Sequence, residues 1–434
     1  MARHANSVLC TSCLLLLVLF VLFPAGVGPR VFAESAQPTT GTLQAIQDAA
    51  TLKVIRTVQE RVEEIRGIRL PGPIPAYYLD SETLKRIVVR EFEEQYPEQR
   101  RKGVEQFLKS LRLIPEDLDI LKILLPLLDE QVGGLYDFRT KRLYVRQGFD
   151  IERSEIARMI LAHEICHALQ DYAFDLKSLG IETRDDDDFS LAGETVAEGD
   201  AMFLMTEYAT CWLGPDVVND IPALVAMDQN ALMNTPHFIR QELLFPYIQG
   251  EAFVGQAVER GPQWRNRLLA DPPKTTREVI HTEEYFGRRD SATSLTLLCP
   301  DFSSVIAPQG PVAPAAPEGY RKLETNRMGE LGARLLLEER LGAGIAFEAA
   351  EGWHGDAYAV CSKDEKKWWF CWESVWDSPR DAAQFTGAWV TLWRSIGAEK
   401  KLGDPAAADQ EFKTGGWTIV AHRVGKRVVL VWWN

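Results

Sequence analysis

Apolar residues recur at helical spacing from Thr42 to Ile68 (Leu43, Ile46, Leu52, Ile55, Val58, Val62, Ile65). Gly67, followed by Pro71, Gly72 and Pro73, ends the pattern, which predicts a leading helix and then a break. Residues 80–131 repeat the helical period with interruptions at Pro97 and Pro115, and run into Gly133 and Gly134. There the period changes. Leu135, Tyr136 and Phe138, a polar Arg139-Thr140-Lys141, then Leu143, Tyr144 and Val145 predict a β-hairpin. Ser154 and Glu155 open a new helix with N-cap chemistry, and helical patterning continues to about 270. The acidic stretch Asp185 to Asp188 interrupts it and reads as a solvated loop rather than a cation site.

Four prolines at 308, 311, 314 and 317 make residues 303–319 a linker or crossover and the preferred domain boundary. Beyond it the pattern predicts a helix over about 327–341, a Trp-rich hairpin around 357–374, a helix over about 379–396 and two closing strands. That is an α+β unit without internal repeats.

The N-terminus has a different character. Arg3 and His4 precede an apolar run from Leu14 to Phe23, and Val31-Phe32-Ala33 stands before Glu34, the three-part layout of a secretory signal peptide over residues 1–33. The run is short for a membrane span, but an uncleaved N-terminus would anchor the chain. The expected location is therefore secreted or periplasmic, with membrane anchoring as the alternative. The expected domains are 1–33 signal peptide, 34–74 N-terminal helix and linker, 75–302 catalytic domain, 303–319 linker and 320–434 C-terminal α+β domain.

A chain of 434 residues with 46% hydrophobic and 25% charged residues is globular in composition. Loss of residues 1–33 removes Arg3 and Arg30 and no acid, taking the formal charge from −14 to −16. So acidic a protein lacks the clustered Lys and Arg that nucleic acid or anionic lipid requires, and neither is an expected partner.

The chemistry concentrates in His163-Glu164-Ile165-Cys166-His167, inside the helix that Ser154 opens. Met159, Ile160 and Leu169, with Ile156, supply its expected buried stripe. Residues four apart stand one above the other on a helix, so both imidazoles project from one face at a separation that one zinc ion bridges. Glu164 then sits where a general base is needed. A catalytic zinc requires a third protein ligand. No His-x-x-Gly-x-x-His continuation follows His167, which excludes a metzincin. An antiparallel second helix carrying Gly193-Glu194-Thr195-Val196-Ala197-Glu198-Gly199-Asp200-Ala201 can supply a carboxylate. Glu194 and Glu198 are one turn apart, so spacing alone leaves open which is the ligand and which orients a histidine N–H.

The Glu198-Gly199-x-Ala201 string resembles the Glu-Gly-x-Ala string that carries the glutamate ligand in the aminopeptidase N group of gluzincins, and the resemblance selects Glu198. Pro246-Tyr247-Ile248-Gln249-Gly250 is similar to the Pro-Tyr-Glu-Lys-Gly segment of that group, which implies that Tyr247 stabilises an oxyanion. No Gly-x-Met-Glu-Asn string is present, so the likeness does not extend to exopeptidase specificity. More broadly, Tyr136-Asp137, Leu143-Tyr144-Val145, His167-Ala168-Leu169-Gln170-Asp171, the Glu198 string and Gly352-Trp353-x-Gly355-Asp356 resemble a family of poorly characterised bacterial secreted HExxH proteins over roughly residues 75–434. The resemblance implies a zincin-like, mostly helical catalytic region with a hairpin before the HExxH helix.

His281 is a further candidate donor to a transition state. Of the cysteines, Cys166, Cys211, Cys299, Cys361 and Cys371 follow the signal segment, an odd number that leaves a thiol over in a monomer. Cys361 and Cys371 flank a turn and would face each other across a hairpin. Cys166 points away from the histidine face and reads as packing. Most of the 12 tryptophans fall in the C-terminal unit, where core packing is the default and a stacking surface the alternative.

The expected function is a secreted zinc endopeptidase acting on peptide or protein substrates, with His163, His167 and Glu198 holding Zn2+, Glu164 as general base and Tyr247 as oxyanion donor. The competing expectation is a non-catalytic zinc-containing binding or assembly protein of the cell envelope.

Overall fold

The computed structural model describes residues 44–95, 97–131, 133–181, 183, 186–213, 230–287, 319–364, 366–397, 409–414 and 416–434. The signal segment, Cys299, Asp185 and nearly all of the Pro-rich linker lie outside them. The molecule is an α+β protein with two sheets.

The chain enters through a two-residue strand β1 (Gln44–Ala45) and α1 (Ala49–Arg66). Asp48 caps α1 by accepting from the Thr51 N–H, and Gly67 ends it in the left-handed region, its N–H donating to the Glu63 carbonyl. Then come β2 (Ala76–Leu79), α2 (Ser81–Gln95), α3 (Glu98–Ser110) and α4 (Ile120–Gln131), so Pro97 and Pro115 do separate helices. The expected hairpin is β3 (Gly134–Asp137) and β4 (Arg142–Arg146). β2 and β1 extend it into a four-stranded sheet of order β1-β2-β4-β3, in which β2 runs parallel to β4. β2 was not expected: four residues after a proline carry too little alternation to register.

Two long helices form the centre. α5 (Glu155–Phe174) is capped by Ser154 and α6 (Asp187–Trp212) by Asp186. The expected stripe on α5 is too narrow: buried residues surround the helix from Ala157 to Asp171, the signature of a central helix, while Ile156 is only half-buried. Contacts between Leu179 and Gly193, Gln170 and Ala197, and Cys166 and Asp200 show that the two segments run antiparallel. α7 (His237–Glu259) packs along α6, with Gly199 against Gly250 and Phe203 against Gly255, and α8 (Pro262–Ala270) follows. Two helical turns, Thr276–Ile280 and Thr282–Phe286, close this half.

The acidic stretch departs from expectation. Asp186 caps α6, Asp187 and Asp188 lie in its first turn, and Asp188 is buried, accepting from the backbone N–H and the hydroxyl of Thr276. Carboxylates suit a helix N-terminus, where the N–H dipoles converge. What reads in sequence as a solvated loop is therefore, over its described residues, a helix start tied into the core.

The C-terminal unit is a six-stranded antiparallel sheet of order β5-β6-β7-β10-β9-β8. Its strands are β5 (Arg321–Asn326), β6 (Trp353–Lys363), β7 (Lys367–Trp376), β8 (Asp409–Thr414), β9 (Trp417–Val424) and β10 (Arg427–Trp433). The helices α9 (Gly329–Leu341), α10 (Ala343–Ala350) and α11 (Pro379–Ser395) accompany it. Most of its tryptophans are core: Trp353, Trp372, Trp376, Trp389, Trp393 and Trp432 are fully buried, whereas Trp417 and Trp433 are half-buried. The register places Cys361 opposite Trp369 and Cys371 opposite Ala359, so the two cysteines are diagonal neighbours rather than directly facing.

One apolar core spans both halves. Phe107 of α3 stacks on Tyr358 with ring centroids 5.1 Å apart, and the Trp432 indole N–H donates to Ser110 Oγ at 2.8 Å. The C-terminal unit is thereby joined to the half that carries the histidines. No helix of the described residues is long and apolar enough to cross a membrane.

Candidate metal centre

α5 brings His163 and His167 to one face, with their Nε2 atoms 3.0 Å apart. Glu198 of α6 meets both: Oε2 is 3.1 Å from His163 Nε2 and Oε1 is 3.5 Å from His167 Nε2. Among the described residues this trio is the one cluster whose ligand atoms converge tightly enough to hold a metal ion. All three side chains are buried.

The donor set fits a metal. Glu198 Oε1, buried, has no hydrogen-bond partner. A cation that takes one lone pair from each imidazole and one from the carboxylate supplies one. Burial pushes the His163 pKa down to about 4, which keeps that imidazole in its neutral, ligating form. Against the opposing effect of burial, the neighbouring histidines hold the Glu198 carboxyl at about 2. Burial also lowers the His167 pKa, but the Glu198 charge outweighs it and the net shift is upward, to about 9.

A buried polar chain orients His167. Its Nδ1 lies 2.8 Å from Gln170 Oε1, and the Gln170 amide N–H groups donate to the Ala197 carbonyl and to Asp200 Oδ2, both at 2.9 Å. Asp200 accepts in turn from Arg265 of α8 and pairs with Arg66 at the end of α1 at 3.3 Å. These residues went unremarked as functional in the sequence. Gln170 carries a signal, being three residues after His167 and so on the same helical face; Arg66 and Arg265 carry none. Cys166 is buried as expected, with Sγ 3.7 Å from Asp200 Oδ2.

Glu164 lies under the edge strand β3, where its Oε2 accepts from the Tyr136 backbone N–H at 2.8 Å. Burial raises its pKa to about 7, the range a general base needs at neutral pH. The Tyr136 hydroxyl donates to Asp171 Oδ2 at 2.8 Å, tying the same strand to the next turns of α5.

Glu194 does not orient either histidine. It lies one turn before Glu198, buried, with Oε1 unpartnered. Burial, reinforced by the Glu198 and Glu242 charges, drives its pKa well above the carboxylate range. Tyr247 is fully buried on α7, one turn before the Gly250 that abuts Gly199, next in sequence to Glu198. His281 stands apart: its Nε2 is 2.6 Å from Glu330 of α9.

Residues 318–433 match a family described as a domain of unknown function (DUF8575), which covers the C-terminal sheet and its helices. No curated protein and no solved structure matches the chain.

Proposed function

We propose that this protein is a secreted zinc-dependent hydrolase of the gluzincin kind, cleaving peptide bonds within polypeptides. The observation that carries the proposal is the convergence of His163, His167 and Glu198 on one point, with Glu164 beside the first histidine. Two imidazoles and a carboxylate are the ligand set of catalytic zinc sites that keep one position open. Zinc in such a site polarises a carbonyl and acidifies water. Glu164 takes the proton from the attacking water, and Tyr247 donates to the charge that develops on the carbonyl oxygen. The edge strand β3 commits its Tyr136 N–H to Glu164, and its remaining outer backbone groups are open to pairing with an extended peptide, which favours internal cleavage of unfolded segments.

A zinc-holding binding or assembly protein of the cell envelope is the second reading, favoured by the burial of all three ligand side chains. Against it stands Glu164, a buried carboxyl that a purely structural site has no use for.

Metal analysis of the purified chain, with cleavage of unfolded casein-like substrates by wild type and Glu164→Gln, separates the two. The hydrolase reading expects about one zinc in each protein and a loss of turnover of roughly a hundredfold or more in the variant. Equal turnover in both leaves the assembly reading, and a metal-free wild type under zinc-replete conditions removes both.

A further inference from the structure

Beside the metal centre lies a cavity of ≈ 170 Å³ between the first turns of α6 and α7, bounded below by α3 and closed by the start of α9 and by β6. Its walls are mostly apolar and aromatic, with Phe107, Phe238, Met328 and Tyr358 among them. A 150 Å³ apolar cavity accommodates a benzene-sized molecule, so this one has room for a four- or five-carbon chain with a terminal polar group. Four acids, Asp187, Asp188, Glu194 and Glu242, and one cation, Arg327, line it. Among the described residues neither Glu194 nor Glu242 forms an ion pair, and Arg327 is engaged by Asp186 at 2.9 Å. Glu194 is buried and its Oε1 has no partner of any kind, a state that is costly for a carboxylate in an apolar interior. The other acids on the wall have partners: Asp187 pairs with Arg100 at 3.3 Å, and Asp188 accepts from Thr276 and lies 4.0 Å from Arg327.

We infer that this cavity is a binding site for an alkylammonium group: an apolar chain lying on the aromatic walls, with its cationic end between Glu194 and Glu242. A bare metal ion fits poorly. Among the described residues Glu194 and Glu242 are not part of any cluster of ligating atoms close enough to hold one, and most of the lining would gain nothing from an ion. A cation with an apolar body uses both features, and the aromatic faces attract it further. Burial raises the pKa of both carboxyls, Glu242 to about 8, which lowers the cost of holding two acids side by side in an apolar wall.

Position gives the site its meaning. Asp187, Leu191, Glu194 and Glu198 succeed each other at three- and four-residue steps along one face of α6, so the cavity wall leads directly to the metal ligand. Four residues of helix separate Glu194 from Glu198, a rise of about 6 Å. The ammonium group belongs either to a lysine side chain of a polypeptide or to a small free amine. The lysine case deepens the hydrolase proposal and rests on it; the binding site itself does not.

Calorimetry on the full chain with n-butylammonium, 1-pentanol and pentanoate tests the inference. The ammonium ion is expected to bind at least about tenfold more tightly than the alcohol, and the anion not at all. Glu242→Gln and Glu194→Gln should each weaken the ammonium ion about tenfold and leave the alcohol unchanged. Glu242 is only half-buried, so its variant stays informative if Glu194→Gln fails to fold. Equal binding of ammonium and alcohol, or discrimination that survives both substitutions, overturns the proposal. Repeating the titration on His163→Ala keeps the two proposals separate, because ammonium binding should persist there even if zinc is lost. A capped lysine peptide that competes with n-butylammonium and binds more tightly assigns the site to a polypeptide side chain; one that does not compete assigns it to a free amine.

Discussion

His167 donates its Nδ1–H to Gln170, and that bond decides which nitrogen faces the metal centre. The Gln170 amide nitrogen is committed to two acceptors, the Ala197 carbonyl and Asp200, so its oxygen must face the ring. Nδ1 therefore carries a proton, and in the neutral, ligating ring the lone pair is on Nε2, 3.0 Å from His163 Nε2. Gln170→Leu removes the acceptor, frees the tautomer and leaves Asp200 short of a donor. Metal affinity should fall roughly 10–100-fold, the usual consequence of losing a partner behind a ligand. Competition against a zinc-binding dye reads this directly, and unchanged affinity would show that His167 is held by packing alone.

Glu198→Gln and Glu194→Gln differ by one helical turn and should differ sharply in outcome. Glu198 touches both imidazoles, whereas Glu194 touches neither. Zinc content after dialysis should collapse in Glu198→Gln and stay near wild type in Glu194→Gln. The opposite ranking would move the ligand one turn back.

The pair His163 and His167 was legible in the sequence because their relation is local: four residues on a helix fix their common face. Glu198 needed a resemblance to be chosen over Glu194, since two carboxylates one turn apart are equivalent by spacing. The orienting chain behind His167 was not legible, because Arg66, Asp200 and Arg265 meet only after three helices have packed. The burial of Asp188 was hidden for the same reason: an acidic run looks solvated until the partner, here Thr276, is known. In the C-terminal unit the hairpin and the helices α9 and α11 were readable from period, whereas β5, the short α10 and one of the three closing strands were not, nor was the four-residue β2, which pairs with a strand far along the chain.

Gly199 and Gly250 let α6 and α7 approach closely enough to place Glu198. A Cβ at Gly250 would lie 2.4 Å from the Thr195 carbonyl oxygen and 2.9 Å from Gly199 Cα, both backbone atoms that cannot swing aside. Alanine gains about 1 kcal/mol of helix propensity over glycine, but overpacking of this kind costs about 1–3 kcal/mol or more. Gly250→Ala should therefore lower the denaturant midpoint and weaken zinc binding together. Gly387 in α11 is the control: nothing lies within 4 Å of its Cβ position, so Gly387→Ala should stabilise by about 0.5–1 kcal/mol.

His281 ties the Thr276–Ile280 turn to α9 through Glu330, and the hydrogen bond to Glu330 raises its pKa above 6.5 despite burial. A histidine with a raised folded pKa contributes stability that is complete below the unfolded value and declines as pH rises through the folded one. Burial raises the Glu330 pKa as well, and a raised carboxyl pKa acts in the same direction. Glu283 and Glu284 on the adjoining turn favour the charged ring and Arg277 opposes it. The melting temperature of His281→Gln should fall furthest below wild type just under pH 6.5, and the gap should narrow as pH increases. Turnover should be unchanged, because His281 pairs with Glu330 rather than with the metal trio; a fall in kcat without a change in melting would restore a role in the chemistry.

Tyr247 is the remaining member of the proposed machinery. It is fully buried on the face of α7 that carries Gly250, at the crossing where Gly199 and Glu198 lie on the opposing helix. Replacement by phenylalanine keeps the ring and its packing and removes one hydroxyl donor. If that donor serves the charge that develops on the carbonyl oxygen, only the transition state loses by its removal. The cost of one such donor is about 3 kcal/mol, so kcat should fall on the order of a hundredfold while KM and zinc content stay near wild type. A structural tyrosine predicts another pattern. Its buried hydroxyl would leave a partner unsatisfied, lowering the melting temperature and zinc content with kcat per bound zinc unchanged. Measuring kcat, zinc and melting on one preparation of Tyr247→Phe decides between them.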